Sequence, residues 1–240
     1  MKLEQELFAK VGALMMPDAT PWGAREILHF THINNLTEIV RQGEVYCDAV
    51  ARNGAVQVEA GDPAIKERRR RRIVNAGPGG FVGDYVPFYF APRSPMMYRI
   101  ACDCRDSVPD RYQGGDRELV YLLSTVENVL DHDLDWVASD GNAATGTTSF
   151  FDDPHEAEAS IDWPLMRATM WNDTADDLDR QRRRMAEFLV HQRVPLTLFD
   201  QVAIYSDAYV EAVRAALTGS HLAGRILVRP AWYYGYQRRG

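Results

Sequence analysis

Glu187 opens an apolar run, Phe188, Leu189 and Val190, three positions after the basic cluster RQRRR of residues 180–184. A carboxylate at the head of a half-buried strand loses solvation, so it calls for an ion pair or a reaction to serve. Arg183 or Arg184 could supply the pair. Residues 84–98, DYVPFYFAPRSPMMY, are the second chemically promising stretch. The segment begins as a strand over residues 85–90 and breaks at Pro92 and Pro95. Arg93, Met96 and Tyr98 are then left on a stiff, irregular surface beside the strand end. Such a surface suits flat, anionic ligands such as nucleobases and nucleotides. An aromatic core strand running into a proline turn would account for the same residues without any ligand.

The elements that must carry these groups read as a mixture of strands and helices. A partly alternating strand is expected at residues 26–32. A helix follows at 36–42, capped by Asn34 or Asn35 and stopped by Gly43. A short strand at 45–47 and a polar loop at 51–62 lead to a helix at 63–72 that carries the run KERRRRR. Beyond the aromatic strand, residues 94–100 look like a helix start. Residues 119–124, LVYLLS, form a buried strand, 126–131 a short helix and 136–138 another strand. Residues 139–153, SDGNAATGTTSFFDD, read as a long, mobile loop of the functional kind. Helices at 164–171 and 176–184, strands at 186–191 and 202–205, a helix at 209–217 and a strand at 225–229 complete the chain. Residues 1–26 read as an extension, a helix followed by a Pro-containing link. With no internal repeat or linker beyond it, residues 27–240 are expected to form one domain, of α+β or mixed α/β class.

Composition narrows the function. The 240 residues are 46% hydrophobic and 25% charged, as in an ordinary globular protein. No run approaches the roughly 18 apolar residues of a membrane span, and residues 1–16 lack the continuous apolar core of a secretory signal, so a cytoplasmic protein is expected. Cys47, Cys102 and Cys104 do not make a disulfide framework. No metal is expected, since the cysteine pair is too closely spaced for a zinc knuckle and His29 and His32 have no evident partner. A net charge of −7 argues against a broad basic face for duplex DNA. Positive charge is nevertheless concentrated at residues 66–72 and 180–184. These are either two solvated helix faces or a focused channel for a short strand or a dinucleotide.

LHFTHINNL at residues 28–36, KERRRRR at 66–72, RQRRRMAEFLV at 180–190 and the Trp232, Tyr233, Tyr234 triplet occur in one order and spacing. Together they resemble the DarT family, toxins that ADP-ribosylate single-stranded DNA and are paired with macrodomain antitoxins called DarG. The resemblance runs from about residue 27 to 234. It implies the ADP-ribosyltransferase fold, α+β with a split pair of small β-sheets and NAD, as substrate, in the cleft between them. It makes Glu187 the catalytic glutamate, which binds a ribose hydroxyl and stabilises the oxocarbenium-like cation formed as nicotinamide leaves. Arg69 is implied to contact the NAD phosphates and help activate the acceptor base, with Arg68, Arg70, Arg71 and Arg72 as alternatives one register away. His29, Phe30 and Thr31 look like the NAD-gripping strand, and Tyr46 would line the same cleft. Arg93, Met96 and Tyr98, with Asn142 and Thr148 of the loop, would hold splayed DNA bases. Thymidine in a short sequence context is the expected acceptor. Guanosine, RNA or protein acceptors remain open, as does a nucleotide-binding module without catalysis.

Overall fold

The computed structural model describes residues 20–51 and 57–238, so the helix expected within residues 1–26 lies largely outside the described residues. The ten strands are β1 Glu26–His32, β2 Glu44–Tyr46, β3 Tyr85–Tyr89, β4 Leu119–Thr125, β5 Trp136–Ser139, β6 Phe150–Phe151, β7 Glu187–His191, β8 Arg193–Pro195, β9 Gln201–Ile204 and β10 Ile226–Val228. Eight run in one sheet in the order β10-β9-β4-β1-β3-β7-β5-β6, and β2 pairs with β8 in a separate ribbon. The large sheet divides in its middle. β1 and β4 stay in register from Glu26↔Thr125 to His32↔Leu119, and β3 and β7 from Tyr85↔His191 to Tyr89↔Glu187. β1 and β3 meet only at Leu28↔Tyr89. The expected split pair of small sheets is therefore two four-stranded halves joined at one residue pair.

β4, buried at six of its seven positions, explains its unbroken apolar sequence: it is covered on both faces. Ile27, Val86, Phe88, Leu122, Phe188 and Val190 build the main core on one face. On the other, Leu28, Tyr121 and Leu123 pack under the helix Pro95–Arg105. That helix starts where Ser94 accepts a hydrogen bond from the Met97 amide (3.2 Å) and Pro95 fills the first turn. It buries Met97, Ile100, Ala101 and Cys104, the i, i+3, i+4, i+7 stripe of an amphipathic helix. Met96 and Tyr98 consequently sit on a regular helix turn, not on irregular chain. Pro95 begins an element here; it does not break one.

Other expectations need correction. The 139–153 stretch is not a loose loop. It is cross-linked by Asp140 N–H to Ser149 O (3.3 Å), Asn142 N–H to Arg182 O (3.0 Å) and Thr148 Oγ1 to Asn142 O (2.8 Å), and it ends in β6. The helix Pro154–Ser160, capped by Asp153, was not legible. The two helices expected after it shrink to Trp163–Arg167 and Arg180–Arg183. Between them Asn, Asp and Thr side chains compete for the backbone, as when Asp173 takes the Gln181 amide at 2.8 Å. Asn35 stands at the N-cap of Leu36–Gln42 but makes no side-chain cap bond, while Gly43 ends that helix in the left-handed region at φ 72°.

Candidate active site

The cleft opens where β1 leaves β3. Pro87 lies mid-strand on the side of β3 facing β1, and it has no N–H with which to continue the ladder. Its carbonyl instead accepts from His29 Nδ1 at 2.9 Å, so the imidazole fills the gap that a strand would have closed. That bond leaves Nε2 of the neutral ring as an acceptor. Burial lowers the His29 pKa, only partly offset by the Pro87 bond, and favours this neutral form. The walls come from His29, Phe30 and Thr31 of β1, Tyr85, Pro87 and Tyr89 of β3, Tyr46 of β2, residues 58–62, Met96 and the helix Pro63–Arg71. They line a cavity of about 210 Å³. Asn35 holds one wall in place: its Oδ1 accepts from the Gln57 and Val58 amides, and its Nδ2 donates to Val58 O and Thr31 Oγ1.

Glu187 is 0% exposed at the head of β7, and it pairs with neither Arg183 nor Arg184. Arg69 reaches it across the cleft floor, with Nη1 at 3.1 Å from Oε1 and 2.9 Å from Oε2. The Ala143 amide gives Oε1 a further bond at 3.0 Å, and the Glu187 amide is itself held by Ser139 Oγ at 3.1 Å. The carboxylate therefore has little rotational freedom. Burial works against the Arg69 charge, but Glu187, with Tyr89 and Asp48, outweighs it and the pKa rises. Nη2 of Arg69 is buried without a hydrogen-bond partner, a donor left over on the cleft wall. Beside the pair, Tyr89 stacks on Phe30 at 6.0 Å. Burial and then Glu187 raise its pKa, keeping the phenol protonated. The cavity is walled by Arg69, with Glu187 behind it.

Of the five arginines in residues 68–72, only Arg69 enters the cleft. Arg70 pairs with Asp48 at 2.7 Å, Arg71 with Glu67 at 2.7 Å, and Arg72 donates to Thr148 O at 2.7 Å. Tyr46 lines the cavity, and so does Met96, which was expected on the acceptor surface. Arg93 and Tyr98 lie beyond Met96, on the outer side of the helix start, with Arg93 against the Tyr234 ring at 4.6 Å. Thr148 is 3% exposed and bonded to Asn142 and Arg182, so it braces the loop and presents no face to a strand. Asn142 is likewise engaged internally, its Oδ1 by the Ala144 amide and its Nδ2 by Met185 Sδ. Residues 180–184 form no channel. Sequence reasoning overlooked Tyr89, Asn35 and the Ala143 amide. Tyr89 alone had a signal, being one strand residue from Phe88 and so on the opposite face.

The arrangement suits a reaction in which a ligand in the cleft becomes cationic beside a fixed carboxylate, while a spare guanidinium donor meets an anion. Among the described residues no cluster could hold a metal ion. The family model for the ssDNA thymidine ADP-ribosyltransferase DarT matches residues 28–234. A DNA ADP-ribosyl transferase of Mycobacterium tuberculosis is 34% identical over 211 residues, 87% of this chain and 88% of the relative. The structure superposes on DarT of Thermus sp. 2.9 in complex with ADP-ribosylated ssDNA, with a TM-score of 0.81, 32% identity and coverage of 91% of this chain and 100% of that one. With the same protein in complex with NAD+ the TM-score is 0.75 at 31% identity, over 92% and 100% of the two chains. A more distant relative in Thermosipho africanus, 20% identical over 210 residues, 88% of this chain and 50% of its own length, is a transferase–glycohydrolase fusion. Matched along nearly its whole length by that family model, the chain belongs to the DarT family of single-stranded-DNA thymidine ADP-ribosyltransferases.

Proposed function

We propose that this chain, an NAD-dependent DNA ADP-ribosyltransferase by family, modifies thymidine in a short single-stranded sequence context and acts as a toxin by blocking replication. The observation that carries the residue roles is the Arg69–Glu187 pair on the floor of the cleft at the sheet split. His29 Nε2 accepts from a ribose hydroxyl, and Phe30, Thr31 and Tyr46 shape the NAD cleft. The bond from ribose C1′ to nicotinamide breaks with its electron pair leaving on nicotinamide. Glu187 stabilises the cation left behind. The thymine ring nitrogen gives up its proton to solvent water, and its electron pair forms the new bond to C1′. The spare Nη2 of Arg69 stabilises the negative charge that this loss creates. Glu187 lies behind Arg69, so the guanidinium must turn toward the substrates before the carboxylate meets the ribose.

Met96, which lines the cleft, and Arg93, just beyond it, receive the splayed acceptor base. A macrodomain antitoxin of the DarG type would remove the mark. The Thermosipho fusion, which joins a transferase to a glycohydrolase, supports that pairing. We place the protein in the cytoplasm, where replicating DNA exposes single strands. The test is incubation with labelled NAD and separate single-stranded DNA, duplex, RNA and protein acceptors, with Glu187→Gln alongside. Label should enter thymidine of the single strand with the wild type alone. Equal labelling of duplex or RNA, or labelling by the variant, would overturn the assignment.

A further inference from the structure

The helix Pro63–Arg71, which carries Arg69, has no apolar anchor, since none of its residues is buried. Its two ends are pinned by polar contacts instead. At the first, the Asp62 carboxylate accepts from the Ala64 amide at 2.8 Å and pairs with Arg111 and, at 3.4 Å, with Arg99 of the helix Pro95–Arg105. At the other, the Arg72 carbonyl accepts from the Val82 amide at 2.9 Å, and Arg72 Nη2 donates to Thr148 O at 2.7 Å. Contacts at the two ends hold the helix axis in place. Rotation about that axis must be fixed by the turns between them.

Asp48 spans those middle turns from the start of the short helix Asp48–Ala51, which follows β2. One carboxylate oxygen lies 2.6 Å from Lys66 Nζ, and the other accepts from Arg70 Nε at 2.7 Å. Residues 66 and 70 are four apart and so form one stripe along the helix. Arg69 stands about 100° from Arg70 around the axis, so whatever fixes the stripe also fixes the direction of Arg69. The side chains of Asp48, Lys66 and Arg70 are 20%, 25% and 30% exposed, and Lys66 pairs with Glu59 as well. A part-buried, branched network of this kind holds its members more firmly than a single exposed ion pair. Burial opposes the Asp48 charge, yet Lys66 and Arg70 outweigh it and keep the carboxyl below its usual range.

We propose that Asp48 is a positioning residue for the transfer reaction: by bridging Lys66 and Arg70 it sets the rotation of the helix that aims Arg69 at Glu187 and the substrates. The inference rests on the role given to Arg69 above and extends it to a residue that acts through Arg69. Arg69 has to grip both oxygens of Glu187 and then turn its spare Nη2 to the substrates. A displacement of about 1 Å can cost such a task on the order of a hundredfold in rate. Asp48 also borders the cavity, as Lys66 does, whereas Arg70 does not. Both Asp48 oxygens are already engaged by cations of the helix, which favours positioning over a direct hold on NAD.

The experiment measures kcat on a thymidine-bearing single strand and, separately, the Kd for NAD by calorimetry, with rates taken per folded molecule. The variants are Asp48→Asn, Arg69→Lys and the two combined. Asp48→Asn keeps the shape of the side chain and removes its charge. Its kcat should fall about tenfold while the Kd for NAD stays within about twofold. The combined variant should be no slower than Arg69→Lys alone, because a residue that acts through Arg69 then has nothing left to aim. Asp48→Glu, which keeps the bridge, should retain most of the rate. Arg70→Gln opens the bridge from outside the cavity wall and should also lower kcat, which keeps the proposal testable where Asp48→Asn folds poorly. Wild-type kcat in Asp48→Asn or in Arg70→Gln overturns the positioning role, as does a loss that multiplies with that of Arg69→Lys. A weakened Kd for NAD with kcat kept would show that Asp48 holds the ligand itself, and overturns it too. Wild-type kcat in Arg69→Lys would instead overturn the role of Arg69, and with it any reason to aim that residue.

Discussion

Two arginine-rich runs, residues 66–72 and 180–184, look interchangeable in sequence and have opposite fates in the fold. In the first, the helix Pro63–Arg71 buries none of its residues and turns about 100° per residue. Neighbouring arginines therefore point to different sides, and only Arg69 is aimed at Glu187. In the second, every arginine from 180 to 184 is consumed. Arg180 donates to the Met170 and Asn172 carbonyls at 3.0 and 3.1 Å. Arg182 pairs with Asp179 at 2.7 Å and Asp140 at 3.0 Å, and Arg183 with Asp177 at 2.6 Å. Arg184, 5% exposed, is bonded to the carbonyls of Leu165, Met166 and Pro92. A run of like charge thus reports nothing about ligand binding until its partners are known. One run reaches the cleft through a single residue, and the other braces the loop and strand head that hold Glu187.

The largest effect should come from the acid that the first run serves. Glu187→Gln should lower the transfer rate by a factor of a hundred or more, roughly 2.7–4 kcal/mol, with the protein still folded by circular dichroism. Expression of the wild type without an antitoxin should arrest growth, and the variant should be tolerated at matched soluble levels. Near-normal transfer by the folded variant would remove Glu187 from the chemistry. Arg69→Lys should follow, with a loss on the order of tenfold to a hundredfold. A lysine can neutralise the acid but cannot grip both of its oxygens and keep a spare planar donor. If Arg70→Lys costs as much, the cleft assignment within the run is wrong.

The second run should reveal itself in stability. Arg184→Ala leaves three carbonyls without their charged donor and should cost about 2–4 kcal/mol in denaturant unfolding, with transfer per folded molecule largely kept. An unchanged midpoint with lost DNA modification would mean that this run touches the strand after all.

A smaller effect concerns pH at the cleft. The His29 pKa is lowered by burial, so the unfolded chain, titrating near 6.5, binds that proton more readily than the folded one. The His29 contribution to stability is therefore complete above about pH 6.5 and shrinks as pH falls toward the lowered folded value. NAD affinity should stay flat through pH 6.5 and decline only in more acidic solution, as calorimetric titration would read. A decline centred at or above 6.5 would show that the ring is not held neutral. The smallest effect belongs to Arg71, whose side chain is 79% exposed. Arg71→Ala should change stability and transfer by no more than about 0.5 kcal/mol, so equal melting and equal rates are expected.

Much of the chemistry was legible in the residues themselves. The acid at the head of an apolar strand, the histidine on a partly apolar one and the aromatic stretch around Pro87 each stood out. Desolvation and proline chemistry set limits that hold in any fold. Strands and capped helices were legible for the same local reason, as the Gly43 stop shows. The identity of the acid's partner was not, because Arg69 lies 118 residues away and its direction depends on helix phase. Tertiary structure alone decided that Thr148 faces inward. It alone also decided that residues 139–153 are cross-linked, since the stabilising groups, Arg182 and Arg72, arrive from distant segments. The split between β1 and β3 belongs to the same class. Pro87 removes a donor locally, but a cleft forms only because β4 and β7 hold the two flanking strands apart.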